Sequence, residues 1–145
     1  MSVTQGHATR TKLLVTYDGV QHCTAVEGTV GKVVATDAPP SCGGKAEEFS
    51  PIELVGAGLG CCMLLSLGTL ALRDKLDISG SSVEVEVSMT DQPVLRIGGI
   101  DLRFSILRNF SEADRMKLER AAHACPLKPS LHPDVRISAM FSYRT

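Results

Sequence analysis

The chain has 145 residues, enough for one domain of ordinary size and too few for two. Hydrophobic residues make up 43% and charged residues 21%, so a core can form without disulfides or metal, and disordered, collagen-like and disulfide-scaffold classes are excluded. Lys+Arg total 15 against Asp+Glu 16, aromatics are 4% and Trp is absent, which argues against nucleic acid as a partner.

Met1 to Arg10 is polar and holds no apolar run, so no secretory signal is expected. A cytoplasmic location follows, where thiols stay reduced. Lys12–Tyr17 and Gln21–Glu27 flank Asp18-Gly19, a turn dipeptide, and predict a hairpin. Lys32–Thr36 is a third strand. Asp37–Phe49, rich in Pro and Gly, is a loop.

Ser50-Pro51-Ile52-Glu53 combines an N-cap Ser, Pro at the first helical position and Glu three residues after the Ser, so a helix starts here. From Leu54 to Leu72 no residue is charged, a run of 19 that is long enough to be weighed as a membrane span. No Trp or Tyr flanks it as an interfacial anchor, and the strands that follow read as soluble sheet, so no membrane is expected. An all-round apolar helix is instead buried in a core. Gly56, Gly58, Gly60 and Gly68 leave room for a second backbone, which predicts a buried central helix in an intimate homodimer.

Val83, Val85, Val87 and Met89 alternate with polar residues, as do Ile100, Leu102, Phe104 and Ile106. The second of these strands starts near Val94 and bends at Gly98-Gly99. Ser111 opens a second helix with Leu118, Ala121, Ala122 and Cys125 as its apolar stripe. Pro126 and Pro129 limit it, Leu127 to Leu131 makes one more turn, and Val135 to Tyr143 is a terminal strand. The order is βββ-α-ββ-α-β, an α+β fold of antiparallel sheets around the central helix, with residues 1–145 as one domain.

Five cysteines stand at Cys23, Cys42, Cys61, Cys62 and Cys125, with no Cys-x-x-Cys among them. Ser50-Pro51-x-Glu53-Leu54, Gly60-Cys61-Cys62, the stretch Leu76 to Val87, and Leu118 to Leu131 with Ala124-Cys125-Pro126-Leu127 together resemble the OsmC/Ohr family of peroxide-reducing thiol proteins. The resemblance runs in order over nearly the whole chain. It implies an intertwined homodimer with its site at the subunit interface. It also implies that Cys62 is the peroxidatic cysteine and Cys125 the resolving one, acting on organic hydroperoxides and regenerated by an external dithiol reductant. No cofactor is implied.

Attack on a peroxide requires a thiolate. The family's organic-hydroperoxide branch activates its cysteine with an Arg from the N-terminal part and a Glu directly after the helix-opening Pro. Ile52 stands at that Glu position here, and no Arg occurs between Arg10 and Arg73. Lys45 and Glu53 are the nearest candidates for activating groups. The alternative function is an OsmC-like dimer without efficient peroxidase activity, a redox sensor or small-ligand binder.

Cys61 points about 100° around the helix from Cys62 and reads as a packing residue. Cys23 falls in a strand and Cys42 in an exposed loop. Cys61, Cys62, His123 and Cys125 include enough soft ligands for zinc, but neighbours one or two apart on a helix diverge, so no metal is expected. His22 and His132 show no partner by spacing and read as surface or turn residues.

Overall fold

Strand β1 (Leu13–Gly19) and strand β2 (His22–Glu27) form the expected hairpin, and β3 (Val33–Asp37) pairs with β2, all antiparallel. The turn falls later than Asp18-Gly19 predicts. Val20 and Gln21 both have positive φ, at 51° and 58°, the left-handed pair that a two-residue hairpin turn needs to match strand twist. Asp18 is consequently left without a partner in the register, as a bulge between Tyr17 and Gly19.

The computed structural model describes residues 10–145, so the sequence reading of the polar N-terminus lies almost wholly outside the described residues. The chain divides into two compact units, Met1–Pro51 and Ile52–Thr145. In the first, the loop after β3 contains a single 3-10 turn, Pro40–Cys42.

The second unit holds α1 (Pro51–Arg73, of which Pro51 ends the first unit), β4 (Ser82–Thr90), β5 (Arg96–Ile106), α2 (Glu112–His123) and β6 (Arg136–Tyr143). A further 3-10 turn, Lys128–Ser130, accounts for the short turn expected after Pro126. Helix α1 begins at Pro51 with Glu53 in its first turn. Ser111 caps α2 through its side chain, accepting from the Asp114 backbone N–H.

Strands β4 and β5 are antiparallel, as alternation predicts, with Gly98 left out of register opposite Ser88-Met89 as the bend. Strand β6, in contrast, joins β5 in parallel. This corrects the expectation of purely antiparallel sheets. Helix α2 crosses back along the sheet between β5 and β6, so both strands start from the same end, as any helical crossover requires.

The register lines up three apolar rows on one face of this sheet: Val87–Ile100–Ile137, Val85–Leu102–Ala139 and Val83–Phe104–Phe141. The Phe104 and Phe141 rings stack at 4.6 Å. Leu59, Met63 and Leu67, four residues apart on α1, and Leu118 and Ala122 on α2 are buried in the same cluster. Burying one such side chain is worth about 1.5–3 kcal/mol, so this layer anchors the unit. The opposite face is polar: Asp101 receives a two-pronged contact from the Arg136 guanidinium and a hydrogen bond from Ser138, and its carboxyl lies far below the usual range through the Arg136 contact first.

Two expectations for α1 are corrected. It is not buried all round: Gly56, Leu59, Gly60, Met63, Leu67 and Ala71 form one buried face, while Leu65 and Leu72 are exposed. By length and composition alone this helix could cross a membrane. Its glycines, moreover, face their own chain. A Cβ on Gly56 would stand 2.5 Å from Val87, and one on Gly60 2.8 Å from Val85. The uncharged run hides this asymmetry because its two faces are equally apolar, and only small residues fit where the helix meets β4.

Candidate functional site

Cys62 lies on the fourth turn of α1, directly before buried Met63, and is half-buried. Cys125 follows the end of α2, where its N–H bonds to the Ala122 carbonyl before Pro126 stops the helix, and it is 1% exposed. Both elements cover the same apolar face of the sheet. The two thiols are therefore neighbours that act on each other electrostatically.

A third group completes the arrangement. Pro126 ends the helical ladder, and the Leu127 backbone N–H that follows lies near enough to Cys62 to favour its thiolate. The Leu127 side chain rests near Gly58, one helical turn before Cys62, where an added Cβ would lie 3.7 Å from it. Gly58 and Cys62 thus receive the two ends of one residue. Neither spacing nor residue type signalled this, because the donor is a backbone group.

The electrostatics hold Cys62 as a thiol. Burial pushes it up, the Leu127 N–H pulls down, and the neighbouring Cys125 pushes up again. No cationic side chain within Ile52–Thr145 acts on it. Glu53 is exposed in the first turn, nine residues before Cys62, which on a helix is half a turn around and about 13 Å along the axis. It therefore stands on the far side of α1 from the thiol. Lys45 lies in the first unit, exposed on the loop beyond the Pro40–Cys42 turn.

Cys61 is exposed, which corrects its reading as a packing residue: a rotation of about 100° carries it off the face that meets the sheet. Cys23 is half-buried on β2 and Cys42 is exposed. His22 is not a lone surface residue either. Its Nδ1 lies 2.5 Å from Oδ1 of buried Asp37, its cross-strand partner. His123 has a partner too, its Nδ1 standing 2.8 Å from the Lys128 ammonium. Burial first, and Lys128 second, push the imidazole below its ordinary value, so it accepts from Lys128.

Beside Cys125 opens a cleft of about 690 Å³. Cys125 lines it, with His123, Lys128 and His132 around apolar Leu131 and Val135. Cys62 does not.

These features have clear relatives. A structure from Psychrobacter arcticus, described as an osmotic stress induced and detoxification response protein, is 28% identical over 92% of this chain and 97% of its own, with a TM-score of 0.86. An OsmC-like protein from Mycoplasma pneumoniae is 17% identical over 95% of this chain and 99% of its own, at 0.80, and shares the fold. So does an organic hydroperoxide resistance protein from Legionella pneumophila, 21% identical over 94% and 99%, at 0.74. No curated protein matches the chain. The family described as OsmC-like protein matches residues 44–139, a span that includes α1, Cys62 and Cys125. The chain belongs to the OsmC/Ohr family.

Proposed function

We propose that the protein is a thiol-dependent peroxidase that reduces organic hydroperoxides through Cys62 and Cys125. The observation that carries this reading is the meeting of the two thiols beside the Leu127 N–H. The family and its neighbours support a peroxide-related redox role, since several of the related structures are described as organic hydroperoxide resistance proteins.

In the proposed reaction the Cys62 thiolate attacks the outer peroxide oxygen and the O–O bond breaks. The alkoxide takes a proton and leaves as an alcohol, and Cys62 becomes a sulfenic acid. The Cys125 sulfur then attacks Cys62, expelling water and forming a disulfide. An external dithiol reduces that bond and is itself oxidised to a disulfide. Consumption of cumene hydroperoxide with a dithiol reductant tests the reading. Turnover well above that of Cys62→Ser is the expected result, and equal rates would overturn it.

A second reading rests on one observation: burial raises the Cys62 thiol, and its own unit supplies no cation to offset this. Under that reading the protein is an OsmC-like dimer that senses redox state or binds a small ligand. The two part on rate, since a sensor oxidises once without sustained turnover.

The same proposal takes the two units as one OsmC-like domain, soluble and cytoplasmic, with a second copy as partner. Exposed Leu65 and Leu72 on α1 support a homodimer. Sedimentation at micromolar concentration without detergent should give twice the chain mass. A stable monomer, or a need for detergent, would refute the dimer.

A further inference from the structure

We propose that the cleft between the end of α2 and the start of β6 binds a small monocarboxylate with an apolar tail, its head on Lys128 and its tail on Leu131, Val135 and Ile137. The inference uses neither thiol and goes beyond both readings above. At about 690 Å³ the cleft falls in the size range of small-molecule sites. It is built wholly within the second unit, by the end of α2, the Lys128–Ser130 turn and the first residues of β6.

The polar side chains of this cleft offer donors without an anionic acceptor among the described residues. Lys128 is half-buried and forms no ion pair with a carboxylate among those residues; its ammonium stands 2.8 Å from Nδ1 of His123. A charge drawn out of water is ordinarily matched by an opposite one, because desolvating it unpaired is costly. His123 cannot supply that charge. Burial first and Lys128 second push its imidazole below the ordinary value, so Nδ1 accepts and Nε2 carries the remaining N–H. His132 is arranged alike: its Nδ1 accepts from the Asp134 backbone N–H at 3.1 Å, which leaves Nε2 to donate. None of the described residues lining the cleft is acidic. Of the carboxylates that act on the two imidazoles, Glu119 already accepts from the Tyr143 hydroxyl at 2.9 Å, and the Asp134 side chain, 3.8 Å from His132, is 65% exposed.

A carboxylate meets this donor set where a neutral or cationic head does not. An ammonium has three N–H donors, and the one engaged by His123 leaves two for a ligand. Bonds from those donors to a carboxylate are charge-assisted and stronger than bonds to a neutral oxygen. The rest of the cleft decides against a bare inorganic anion. Leu131, Val135 and Ile137 are half-buried and line the same space, so a ligand that fills it must cover apolar surface as well as charge. A carboxylate joined to a short hydrocarbon or aryl tail does both.

The test uses the full, reduced chain and probes that share one tail: 4-phenylbutyrate, 4-phenylbutanol and 4-phenylbutylamine, with acetate as the head group alone. Titration followed by amide NMR near neutral pH should show saturable binding of 4-phenylbutyrate. Signals of Lys128, His132 and Ile137 should shift, while those of Leu65 and Leu72 on the exposed face of α1 stay in place. The alcohol should bind about tenfold more weakly, the size of one hydrogen bond to a charged group. The amine, which Lys128 repels, and acetate, which has no tail, should bind more weakly still. Lys128→Gln should bring the carboxylate down to the affinity of the alcohol, and Lys128→Arg should retain the preference. Equal affinity for carboxylate and alcohol, shifts confined to α1, or undiminished binding by Lys128→Gln would overturn the site. Should Lys128→Gln disturb the fold, the head-group series on the unmodified chain decides alone. Peroxide turnover enters none of these readouts, so their failure leaves the proposed function standing.

Discussion

Cys62 and Cys125 stand 63 positions apart in the chain, yet the Cys125 thiol acts on Cys62 as a neighbour. A mid-helix residue of α1 and the residue that ends the α2 turn are brought together because both elements cover one face of the β4-β5-β6 sheet. A disulfide between them requires Cβ atoms about 4 Å apart. Peroxide should therefore produce an intramolecular Cys62–Cys125 bond, detected by peptide mapping. Cys62→Ser should abolish it. Cys125→Ser should leave a Cys62 sulfenic acid that a dimedone-type reagent captures and excess peroxide drives to sulfinic acid. Identical behaviour of the two variants would contradict distinct roles.

The pH dependence of Cys62 separates the two functional readings. Burial raises its thiol above the ordinary value, so the thiolate fraction is small at neutral pH and grows as pH rises through that raised value. Alkylation of Cys62 by iodoacetamide should still be accelerating above about pH 8.5, where a free cysteine is half ionised. A midpoint below pH 7 would show that a positive group from outside residues 52–145 activates the thiol.

The glycines of α1 make opposite predictions according to what they face. Gly56→Ala and Gly60→Ala drive a methyl into Val87 and Val85 of β4, and each should cost about 1–3 kcal/mol by overpacking. At Gly68 the nearest atom to an added Cβ is 3.9 Å away, so Gly68→Ala should be neutral or stabilise by up to about 1 kcal/mol through helix propensity. Val85→Ala in the Gly60→Ala background should cost less than the two single changes add to, since it removes the atoms in conflict. Denaturant midpoints of the single variants and the double measure these effects. Equal losses at Gly60 and Gly68 would refute the asymmetric packing of α1.

The His22–Asp37 pair should give the first unit a stability plateau in mildly acidic solution. The pair raises His22, chiefly through the hydrogen bond to Asp37, so its contribution is complete below pH about 6.5 and is lost as pH rises through the raised value. The same bond lowers Asp37, whose contribution is complete above pH about 3.9 and is lost as pH falls through the lowered value. Thermal midpoints should fall on both sides of this window. Asp37→Asn should flatten the profile, and an unchanged profile would show that the pair contributes nothing.

Much of this protein is written in local periodicity. Alternation at Val83–Met89 and Ile100–Ile106 marks two strands, Ser50-Pro51 and Ser111 mark two helix starts, and the Cys62 and Cys125 motifs carry the family resemblance before any coordinate is known. What periodicity leaves open is the partner of each face. An apolar run such as Leu54–Leu72 presents the same chemistry all round, so only the sheet decides that Gly56 and Gly60 meet β4 while Leu65 and Leu72 remain outside. The direction of β6 depends on which end of the sheet α2 delivers it to, a matter of crossover geometry that alternation does not encode. The Leu127 N–H at Cys62, the Lys128–His123 contact and the Asp37 bond to His22 are likewise set by position in the fold. A single sequence records which residues are apolar, charged or nucleophilic over a few turns of chain, whereas these contacts exist because packing one sheet face under two helices brings distant segments to the same place.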